Sequence, residues 1–422
     1  MKITAVGDCA IQKCMPKYYQ GFEEVRDIVA RGDVRFFNLE TTVCEDCFPG
    51  AHSGGTWLRT TRKVLDSIKD FGFNVTTSAN NHCMDFSYDG FLQTLENIES
   101  AGYAQAGGGK NLAKASAPAY IDTPSGRAAI IACVTECDHC ENAGEQTRDF
   151  LGRPGVNPLG IKKVVYVSKE ELEQLKEIAK RTTLNVYNEI ITAQGYKAPL
   201  GENEFEFCDT AFRVGEPRIE FELSERDMKR ITTAIKDASM QADLVFISIH
   251  NHAMQGEKRT DVPKFLTEFA HRCIDAGAHG IIGHGPHLMQ GVEIYKGLPI
   301  MYSLGDFMLQ LENCEAVPDD FYKKFGLCAE DGLYEVFKKR TKDFTIGLQR
   351  QSEMMESVIA SFEMENGKLT SLKFTPVELG LGQKHSSIGW PRKSENKNIL
   401  KQLAELSKPF GTVIAEDGKV KL

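Results

Sequence analysis

Carboxylate, carboxamide and imidazole side chains recur in five short segments of the sequence, and each segment directly follows an apolar stretch. The segments are Gly7-Asp8; Asn38-Leu39-Glu40; Asn80-Asn81-His82 with Asp85; His250-Asn251-His252; and Gly283-His284-Gly285-Pro286-His287. A mixed set of oxygen and nitrogen ligands suits divalent manganese, iron, zinc or magnesium better than metals that prefer thiolates. The residue types therefore predict a site for one or two divalent metal ions.

Each residue in these segments also has an ordinary structural interpretation. A lone aspartate after a strand, such as Asp8, is often a helix cap. Asn80-Asn81 is typical of a turn, and an isolated His82 is compatible with a hydrogen-bonded structural residue. Five of the ten histidines, however, lie in three of the five segments. That concentration favours a clustered metal or acid–base site over separate structural roles.

The apolar stretches alternate between strand-like and helix-like patterns. Strands are predicted at 2–6, 34–39, 74–78, 128–134, 244–249, 280–282 and 300–304. Helices are predicted at 22–30, 64–71, 91–98 and 265–274. This alternation predicts a layered α/β fold, in which polar residues gather at the carboxyl ends of parallel strands.

Two segments interrupt the alternation. Residues 136–240 contain the turn-rich run Arg153-Pro154-Gly155 and a helical pattern at 170–181, without an evident set of strands. Residues 311–352 are polar and rich in charge. Strand patterns at 357–363 and 369–377 flank Asn366-Gly367, a favoured hairpin turn. We therefore expect a single domain over 1–422, with insertions at about 136–240 and 311–352.

Composition and charge argue against several classes of protein. Of the 422 residues, 41% are hydrophobic and 26% charged, as in ordinary globular proteins. The formal net charge of −9 shows no basic bias, so we do not expect nucleic-acid binding. No apolar run approaches the roughly 18 residues of a membrane-spanning helix, and the first residues resemble a strand rather than a secretory signal. We expect a cytoplasmic protein without membrane contact, whose cysteines are reduced.

Several motifs together resemble the CapA-type capsule-synthesis family, which is linked to poly-γ-glutamate. They are Ala79-Asn80-Asn81-His82 with Asp85 and Gly90, Gly107-Gly108-Gly109, Gly283-His284-Gly285-Pro286-His287, Ile294-Tyr295-Lys296-Gly297, Tyr302-Ser303-Leu304-Gly305-Asp306-Phe307, Leu406-Ser407 and Gly411-Thr412. Any one motif is weak, but the combination is specific and extends over most of the chain. The family in turn resembles the calcineurin-like metallophosphoesterases. The resemblance therefore implies a metallophosphoesterase-like layered α/β sandwich.

The resemblance also implies a set of metal ligands, because those phosphoesterases hold two metals with side chains from strand ends. Matched residue by residue, the implied ligands are Asp8, Glu40, Asn81, His250, His284 and His287. Two features depart from the phosphoesterase pattern. Ala10 stands where a second histidine follows the aspartate, and two residues rather than one separate His284 from His287. His252 or a water would then complete the first metal site.

His82 and His252 are the candidate catalytic residues. The resemblance implies that His82 is a general acid, a role worth about a hundredfold to ten-thousandfold in rate. The candidate substrate-binding residues are His52, Arg59 and Asn80. Of these, His52 lies in a glycine-rich loop that we interpret as a candidate lid.

Two Cys-x-x-Cys pairs remain outside this scheme. Cys44 and Cys47 follow one predicted strand, and Cys137 and Cys140 follow another. Four sulfurs with this spacing are able to form a structural zinc site. The alternative, which we favour, is that all four are reduced loop thiols in a cysteine-rich chain.

Two hypotheses of function from different classes follow. The first is a metal-dependent hydrolase of a phosphoester or a γ-glutamyl-type amide, with a small-molecule or polymeric anion as its substrate. The second is a non-catalytic protein that binds an anionic polymer or metabolite in the same pocket, and Ala10 favours it. Turnover in the presence of added metal separates the two.

Overall fold

A computed structural model of the chain describes residues 1–16, 19–51, 53, 55–135, 137–201 and 203–422. At its centre two β-sheets pack face to face, and helices cover the outer side of each sheet. The fold is therefore a layered α/β sandwich, and this confirms the predicted fold class. Among the described residues, no helix combines the length and the apolar character needed to cross a membrane.

The first sheet has eight strands, and its middle is parallel. In spatial order, seven of them are Arg392–Lys393, Lys368–Glu378, Glu356–Glu365, Lys2–Ala10, Val34–Leu39, Val75–Thr77 and Ala104–Ala106. The eighth strand, Asp306–Leu309, pairs in parallel with the end of Lys2–Ala10. Every residue of Lys2–Ala10 after Lys2 is buried, which is typical of a strand covered on both faces.

The second sheet has six strands, four of which are parallel. In spatial order they are Val292–Tyr295, Leu298–Met301, Gly280–His284, Leu244–His250, Gly126–Val134 and Ala119–Thr123. Leu244–His250 is buried at every position and pairs in parallel with the strand on either side. Its position explains why its sequence is a continuous apolar run rather than an alternating one.

Three apolar layers hold the sandwich together. The layer between the sheets includes Phe246 and Phe362, whose rings meet edge to face with centroids 5.7 Å apart. Helix Phe22–Val29 packs against the first sheet, and helices Glu225–Ser239 and Lys264–Asp275 pack against the second. Each of these helices buries residues three or four positions apart, so one face of it is apolar.

Helix positions agree closely with the predicted apolar spacing. The patterns at 22–30 and 265–274 form Phe22–Val29 and Lys264–Asp275. The remaining helices are Arg62–Ser67, Ser87–Ser100, Leu112–Ala115, Lys169–Thr182, Val186–Ala193, Asp319–Lys324, Gly332–Arg340 and Lys397–Ser407. Two short strand pairs lie outside the main sheets, and these are Thr42–Val43 with Arg59–Thr60, and Gly108–Gly109 with Gly155–Val156.

The predicted hairpin near the end of the chain is present. Strands Glu356–Glu365 and Lys368–Glu378 pair in antiparallel fashion, and Asn366 and Gly367 connect them. Both connecting residues have positive φ, 50° and 74°. Such a tight turn requires left-handed backbone at both positions, which explains the Asn-Gly sequence.

The segment 136–240 contains more regular structure than its sequence indicates. A separate four-stranded sheet lies in it, formed in spatial order by Glu204–Phe207, Thr210–Val214, Ile161–Val167 and Arg218–Leu223. The expectation that this segment lacks its own strands is therefore wrong, because its strands are half-exposed and carry many charged residues. Helix Glu225–Ser239 also lies within the segment 136–240, but it packs on the second main sheet and not on the inserted sheet. The division into one domain with insertions at about 136–240 and 311–352 stays a prediction.

Candidate metal centre

The carboxyl ends of the parallel strands of both sheets meet at one edge of the sandwich. Asp8 pairs in register with Asn38 in the first sheet, and His250 pairs with His284 in the second. The backbone N–H of Gly285 donates to Asp8 Oδ2 at 2.8 Å and so connects the two sheets. This contact joins residues that are 277 positions apart in the chain. Strand order, rather than sequence proximity, assembles the site.

The loop after strand Gly280–His284 has a backbone that few residues adopt. Gly285 has a φ of 117°, and a Cβ there would lie 2.6 Å from the carbonyl oxygen of Asn251. Glycine is therefore required at this position. His287 has a φ of 60°, which is uncommon for a residue other than glycine and is often found at functional sites. The loop thus holds the His287 side chain in a specific direction.

Three overlapping groups of side chains have the geometry of metal sites. Within each group the candidate ligand atoms lie within 4.8 Å of one another. The groups are Asp8, His250 and His284; Glu40, His252 and His287; and Asp8, Glu40, His287 and Asp306. Asp8, Glu40 and His287 each belong to two groups. The ligand atoms therefore form one continuous cluster, which could hold a metal ion.

Two imidazoles converge on one carboxylate in the first group. His250 Nδ1 and His284 Nδ1 lie 2.8 Å apart, and Asp8 Oδ1 is 3.5 and 3.3 Å from them. Asn38 Nδ2 donates to Asp8 Oδ1 at 2.7 Å, and Ser248 Oγ is 2.7 Å from the other ring nitrogen of His284. These outer contacts fix the orientation of the ligand groups, as in many metal sites.

Asn81 and His252 lie on the other side of His250. Asn81 Oδ1 is 2.8 Å from His250 Nε2 and 3.2 Å from His252 Nε2. The two Nε2 atoms are 3.0 Å apart. Glu40 Oε1 lies 3.7 Å from His250 Nε2 and also 3.7 Å from His287 Nε2. An amide oxygen, a carboxylate and imidazole nitrogens therefore surround this part of the cluster.

Two carboxylates of the cluster, Glu40 and Asp306, have oxygens without the partners that buried charges normally have. Both oxygens of Glu40 and Oδ2 of Asp306 have no hydrogen-bond partner among the described residues, although both side chains are fully buried. An isolated buried carboxylate is costly unless it is paired or coordinates a metal. A divalent cation would supply both the missing charge and the missing contacts, so the residues fit such an ion.

Burial and neighbouring groups change the pKa of each acid in the cluster. Burial, reinforced by the charge of Asp8, raises the pKa of Glu40 well above its usual value. Burial likewise raises the pKa of Asp306 to about 6. Burial acts in the same sense on Asp8, but hydrogen bonds from His250 and His284 outweigh it and keep the pKa of Asp8 well below its usual value. Asp8 is therefore ionised at neutral pH.

The histidines of the cluster fall into two kinds. Burial lowers the pKa of His250 to about 4 and also lowers the pKa of His252. Both rings are therefore neutral near pH 7, as metal ligands must be. Burial acts in the same direction on His287, but the charges of Asp306 and Glu40 outweigh it and raise the pKa of His287 to about 10. As a metal ligand, His287 would therefore lose its proton when the ion binds. His287 Nδ1 lies 3.0 Å from Asp306 Oδ1.

His82 lies beside the cluster and pairs with Asp85. Its Nδ1 is 2.8 Å from Asp85 Oδ2, and the backbone N–H of Leu58 donates to the same oxygen at 2.7 Å. Because Asp85 accepts both hydrogen bonds, Nδ1 of His82 is the protonated nitrogen that donates to it. Nε2 is then the ring nitrogen that remains for other contacts.

A single cavity of about 810 Å³ connects these groups with solvent. Its lining includes side chains of the cluster and the candidate acid, namely Asn81, His82, His252 and His287. A molecule in this cavity would contact the ligand cluster and His82 at the same time.

The structure brings together the implied ligands Asp8, Glu40, Asn81, His250, His284 and His287, with His252 among them. Asn80 and Arg59 do not belong to the described lining of the cavity. The amide of Asn80 donates to the Leu39 carbonyl oxygen at 2.8 Å and is fully buried. The guanidinium of Arg59 pairs with Asp46 instead. His52 lies outside the described residues, so its assignment as a substrate contact stays a prediction.

Sequence reasoning did not assign site roles to Asn38, Asp85 and Asp306. Asp306 has a signal that could have revealed it, because Gly305-Asp306 repeats the pair Gly7-Asp8. The structure pairs Asp8 with Asp306 in neighbouring parallel strands. The repeated Gly-Asp pair, which follows an apolar stretch in both places, was therefore a sequence signal for the site role of Asp306.

The two Cys-x-x-Cys pairs remain separate thiols in the structure. Cys44 is buried, whereas Cys47 and Cys140 are exposed, and all are free. In the part of the chain that the structure describes, no candidate metal-binding group includes a cysteine. The geometry does not support a zinc site at these positions.

Fold and site together define a layered α/β protein with a buried oxygen and nitrogen cluster that could hold a metal ion. The family model described as bacterial capsule synthesis protein PGA_cap matches residues 2–310. The chain therefore belongs to this family, which is related to capsule and poly-glutamate synthesis, and the resemblance found in the sequence is confirmed.

Individual relatives cover the chain to different extents. The uncharacterized protein y4uA of Sinorhizobium fredii is 29% identical over 100% of this chain and 92% of its own length. The PGA biosynthesis protein CapA of Bacillus subtilis is 22% identical over 60% of this chain and 46% of its own. A crystal structure of a hypothetical protein from Thermus thermophilus aligns with 90% of this chain and 99% of its own, with 10% identity and a TM-score of 0.42.

Proposed function

We propose that this protein is a metal-dependent hydrolase that cleaves a phosphoester or a γ-glutamyl-type amide in an anionic small molecule or polymer. The observation that carries the proposal is that a buried ligand cluster and the His82–Asp85 pair open into one cavity. The name of the Bacillus subtilis relative refers to PGA biosynthesis, which supports an anionic substrate.

The cluster offers positions for one or two divalent ions. Asp8, His250 and His284 would hold one ion, while Glu40, His252 and His287 would hold a second. Manganese, iron, zinc and magnesium all accept ligands from this set. When bound, such an ion acts as a Lewis acid on a phosphoryl or carbonyl oxygen and promotes the ionisation of water.

The protein's own side chains supply the remaining chemistry. In the doubly protonated ring, Nδ1–H of His82 is held by the Asp85 carboxylate and Nε2–H is the proton that passes to the leaving group, which leaves a neutral ring; Asp85 therefore acts as a positioning residue. His252 is unsuited to that role near pH 7, because its lowered pKa leaves the ring neutral. A neutral His252 instead suits a metal ligand or a proton acceptor.

A binding protein for an anionic polymer or metabolite is the second candidate. Ala10 favours it, since a buried alanine stands where the phosphoesterase pattern has a ligand histidine. Elemental analysis and turnover together separate the candidates. Purified protein would be incubated with bis(p-nitrophenyl) phosphate or poly-γ-glutamate, with manganese, iron, zinc or magnesium added. Bound metal with turnover supports the hydrolase, whereas bound metal without turnover of either class supports the binding protein.

The sharpest test of the hydrolase is the substitution His82→Ala. We expect the variant to retain its bound metal and its unfolding temperature, while kcat falls by about a hundredfold or more, as expected for loss of a general acid. The measurements are steady-state kinetics, elemental analysis and thermal unfolding.

His271→Ala is the matched control. His271 Nε2 contacts Glu293 at 2.9 Å in a pair like that of His82, but His271 lies on an outer helix and not on the cavity. Its loss should leave kcat unchanged. Retained activity in His82→Ala would contradict the role of general acid, and parallel loss of metal and activity would make His82 a ligand or a support for one.

A further inference from the structure

Arg340 is a cation at the wall of the cavity for which the described residues provide no ion pair. It ends helix Gly332–Arg340, is half-buried, and forms no ion pair with a described carboxylate. Glu312, whose charge also acts on Arg340, pairs directly with Arg350 at 2.6 Å. A guanidinium remains charged even where burial lowers its pKa, as it does here. The charge is thus partly desolvated without a carboxylate in direct contact among the described residues.

Two contacts fix the position of the Arg340 side chain. Its Nη1 donates to Thr56 Oγ1, and its guanidinium lies 5.6 Å from the centre of the Phe321 ring. Thr56 and Phe321 are both buried. An arginine held in this way has lost side-chain freedom before any ligand binds, which favours affinity for an oxyanion that accepts two hydrogen bonds.

Arg340 lies on the same side of the cavity as the candidate acid. Thr56 follows Gly55, and a Cβ on Gly55 would lie 3.8 Å from His82 Cε1. Gly55, Thr56, His82 and Arg340 all line the cavity. His82 and Arg340 thus adjoin neighbouring residues of one segment at the cavity wall.

Other charges in the cavity are arranged differently. Lys163 and Arg259 also line it, but both are exposed. They are expected to attract anions in general. The acids Asp138 and Glu141 line the cavity too, and burial raises the pKa of Glu141 to about 7. Of the three cations, Arg340 is the one whose position is fixed by contacts with buried residues.

We propose that Arg340 binds an oxyanion, a carboxylate or a phosphate, on the leaving portion of the substrate. The assignment of this group to the leaving portion of a substrate rests on the proposed hydrolase function. The contact between Arg340 and an oxyanion does not, because it needs no metal. Arg340 presents parallel N–H donors that match the two oxygens of such a group. Substrates without a second acidic group would lose this contact.

The test measures binding of two probes, inorganic phosphate and glutarate, to the full chain in the presence of EDTA. Calorimetric titration is expected to show one equivalent of one probe bound to the wild-type protein. Arg340→Gln should weaken that binding roughly tenfold or more, because charge-assisted hydrogen bonds are lost. Preference for phosphate or for glutarate identifies which oxyanion the site takes.

Three further variants make the result specific. Arg148→Gln removes the same charge from a side chain that is 91% exposed and outside the cavity, and it should leave the affinity unchanged. Arg340→Lys keeps the charge without the parallel donors and should bind with intermediate affinity. Thr56→Val removes the partner that holds Arg340 and should weaken binding less than Arg340→Gln does. If thermal unfolding shows that Arg340→Gln is not folded, Thr56→Val is the variant that tests the proposal.

Equal affinity of the wild-type protein and Arg340→Gln, or no binding of either probe to the wild-type protein, would overturn the proposal. Weakened binding in both Arg340→Gln and Arg148→Gln would also overturn it, because the effect would then reflect overall charge. Neither metal nor turnover enters these measurements. Failure of the hydrolase function would therefore leave them unchanged, and the two outcomes can be distinguished.

Discussion

The two main sheets and the inserted four-stranded sheet are stabilised by different interactions. In the main sheets, strand Leu244–His250 is buried at all seven positions. In the inserted sheet, the seven residues of Ile161–Val167 include one buried position, Val164. The first kind of strand depends on apolar burial, which is proportional to the area removed from water. The second kind must depend on contacts at a half-exposed surface.

In the inserted sheet, contacts between charged side chains connect the strands. Glu204 accepts hydrogen bonds from Lys162 at 2.8 Å and from Arg213, and Arg213 also pairs with Glu222. The guanidinium of Arg218 lies 3.7 Å from the centre of the Tyr166 ring. Ion pairs of this type contribute much less than a buried aromatic side chain. The comparison therefore predicts that substitutions in the two regions differ in size and in dependence on pH.

The largest effect is expected between the main sheets. Phe246→Ala removes a fully buried ring that contacts Phe362, and we expect it to lower the free energy of unfolding by about 3–5 kcal/mol. Urea unfolding followed by tryptophan fluorescence would measure this.

Phe205→Ala is the matched control in the inserted sheet, because Phe205 is an aromatic strand residue that is only half-buried. Its effect should be about 1 kcal/mol. Equal effects of the two substitutions would contradict the idea that the regions depend on different interactions.

The same difference explains how much of the fold the sequence reveals. A strand covered on both faces needs an apolar run, and Val34–Leu39 was predicted with the bounds that the structure has. Strands Glu204–Phe207 and Arg218–Leu223 mix glutamate and arginine with apolar residues, so their sequences lack that run. Their pairing is decided by neighbours that are distant in the chain, which a local pattern does not contain.

The candidate site follows the same logic. Asp8 and His250 could be grouped from the sequence because each lies at or near the carboxyl end of an apolar strand, although the two strands belong to different sheets. The contribution of Asp306 depends on strand Asp306–Leu309, which pairs with Lys2–Ala10 although the two strands are far apart in the chain. Arg59 and Asn80 lie on segments outside the two main sheets, and their partners depend on those segments. Strand ends were therefore predictable, whereas the surroundings of these residues were not.

Two glutamates make the comparison sharper, because Glu40 is fully buried without a hydrogen-bond partner, whereas Glu204 accepts hydrogen bonds from two cationic side chains. Glu40→Gln replaces a carboxylate that lies among other carboxylates by a neutral group of similar shape. In the presence of EDTA at pH 7 we expect the variant to be more stable than the wild-type protein by about 1–3 kcal/mol, since burial raises the pKa of the Glu40 carboxyl at a cost to the folded state that a neutral amide avoids. We expect its metal affinity to fall at least about tenfold.

Thermal unfolding in EDTA and metal titration monitored by calorimetry would measure both effects. A metal-free Glu40→Gln protein that is less stable than the wild type would show that Glu40 has stabilising partners without metal. That result would remove the argument that its unpaired oxygens indicate a cation site.

Glu204→Gln should have the opposite sign and a smaller size. Hydrogen bonds from Lys162 and Arg213 lower the pKa of Glu204 to about 2, below the value of about 4.3 for an unfolded chain. The ionised form is thus favoured in the folded state, and its stabilisation is fully present above the unfolded pKa. At pH 7 we expect Glu204→Gln to lose about 1 kcal/mol. The difference between the two proteins should shrink as the pH falls from about 5 towards 2, because the wild-type carboxylate becomes protonated there.

Hydrogen exchange of the backbone amides in Ile161–Val167, compared between pH 7 and pH 4, would report on this sheet specifically. A difference that is independent of pH would show that Glu204 acts through packing, and the proposed contrast between apolar and charged stabilisation would then fail.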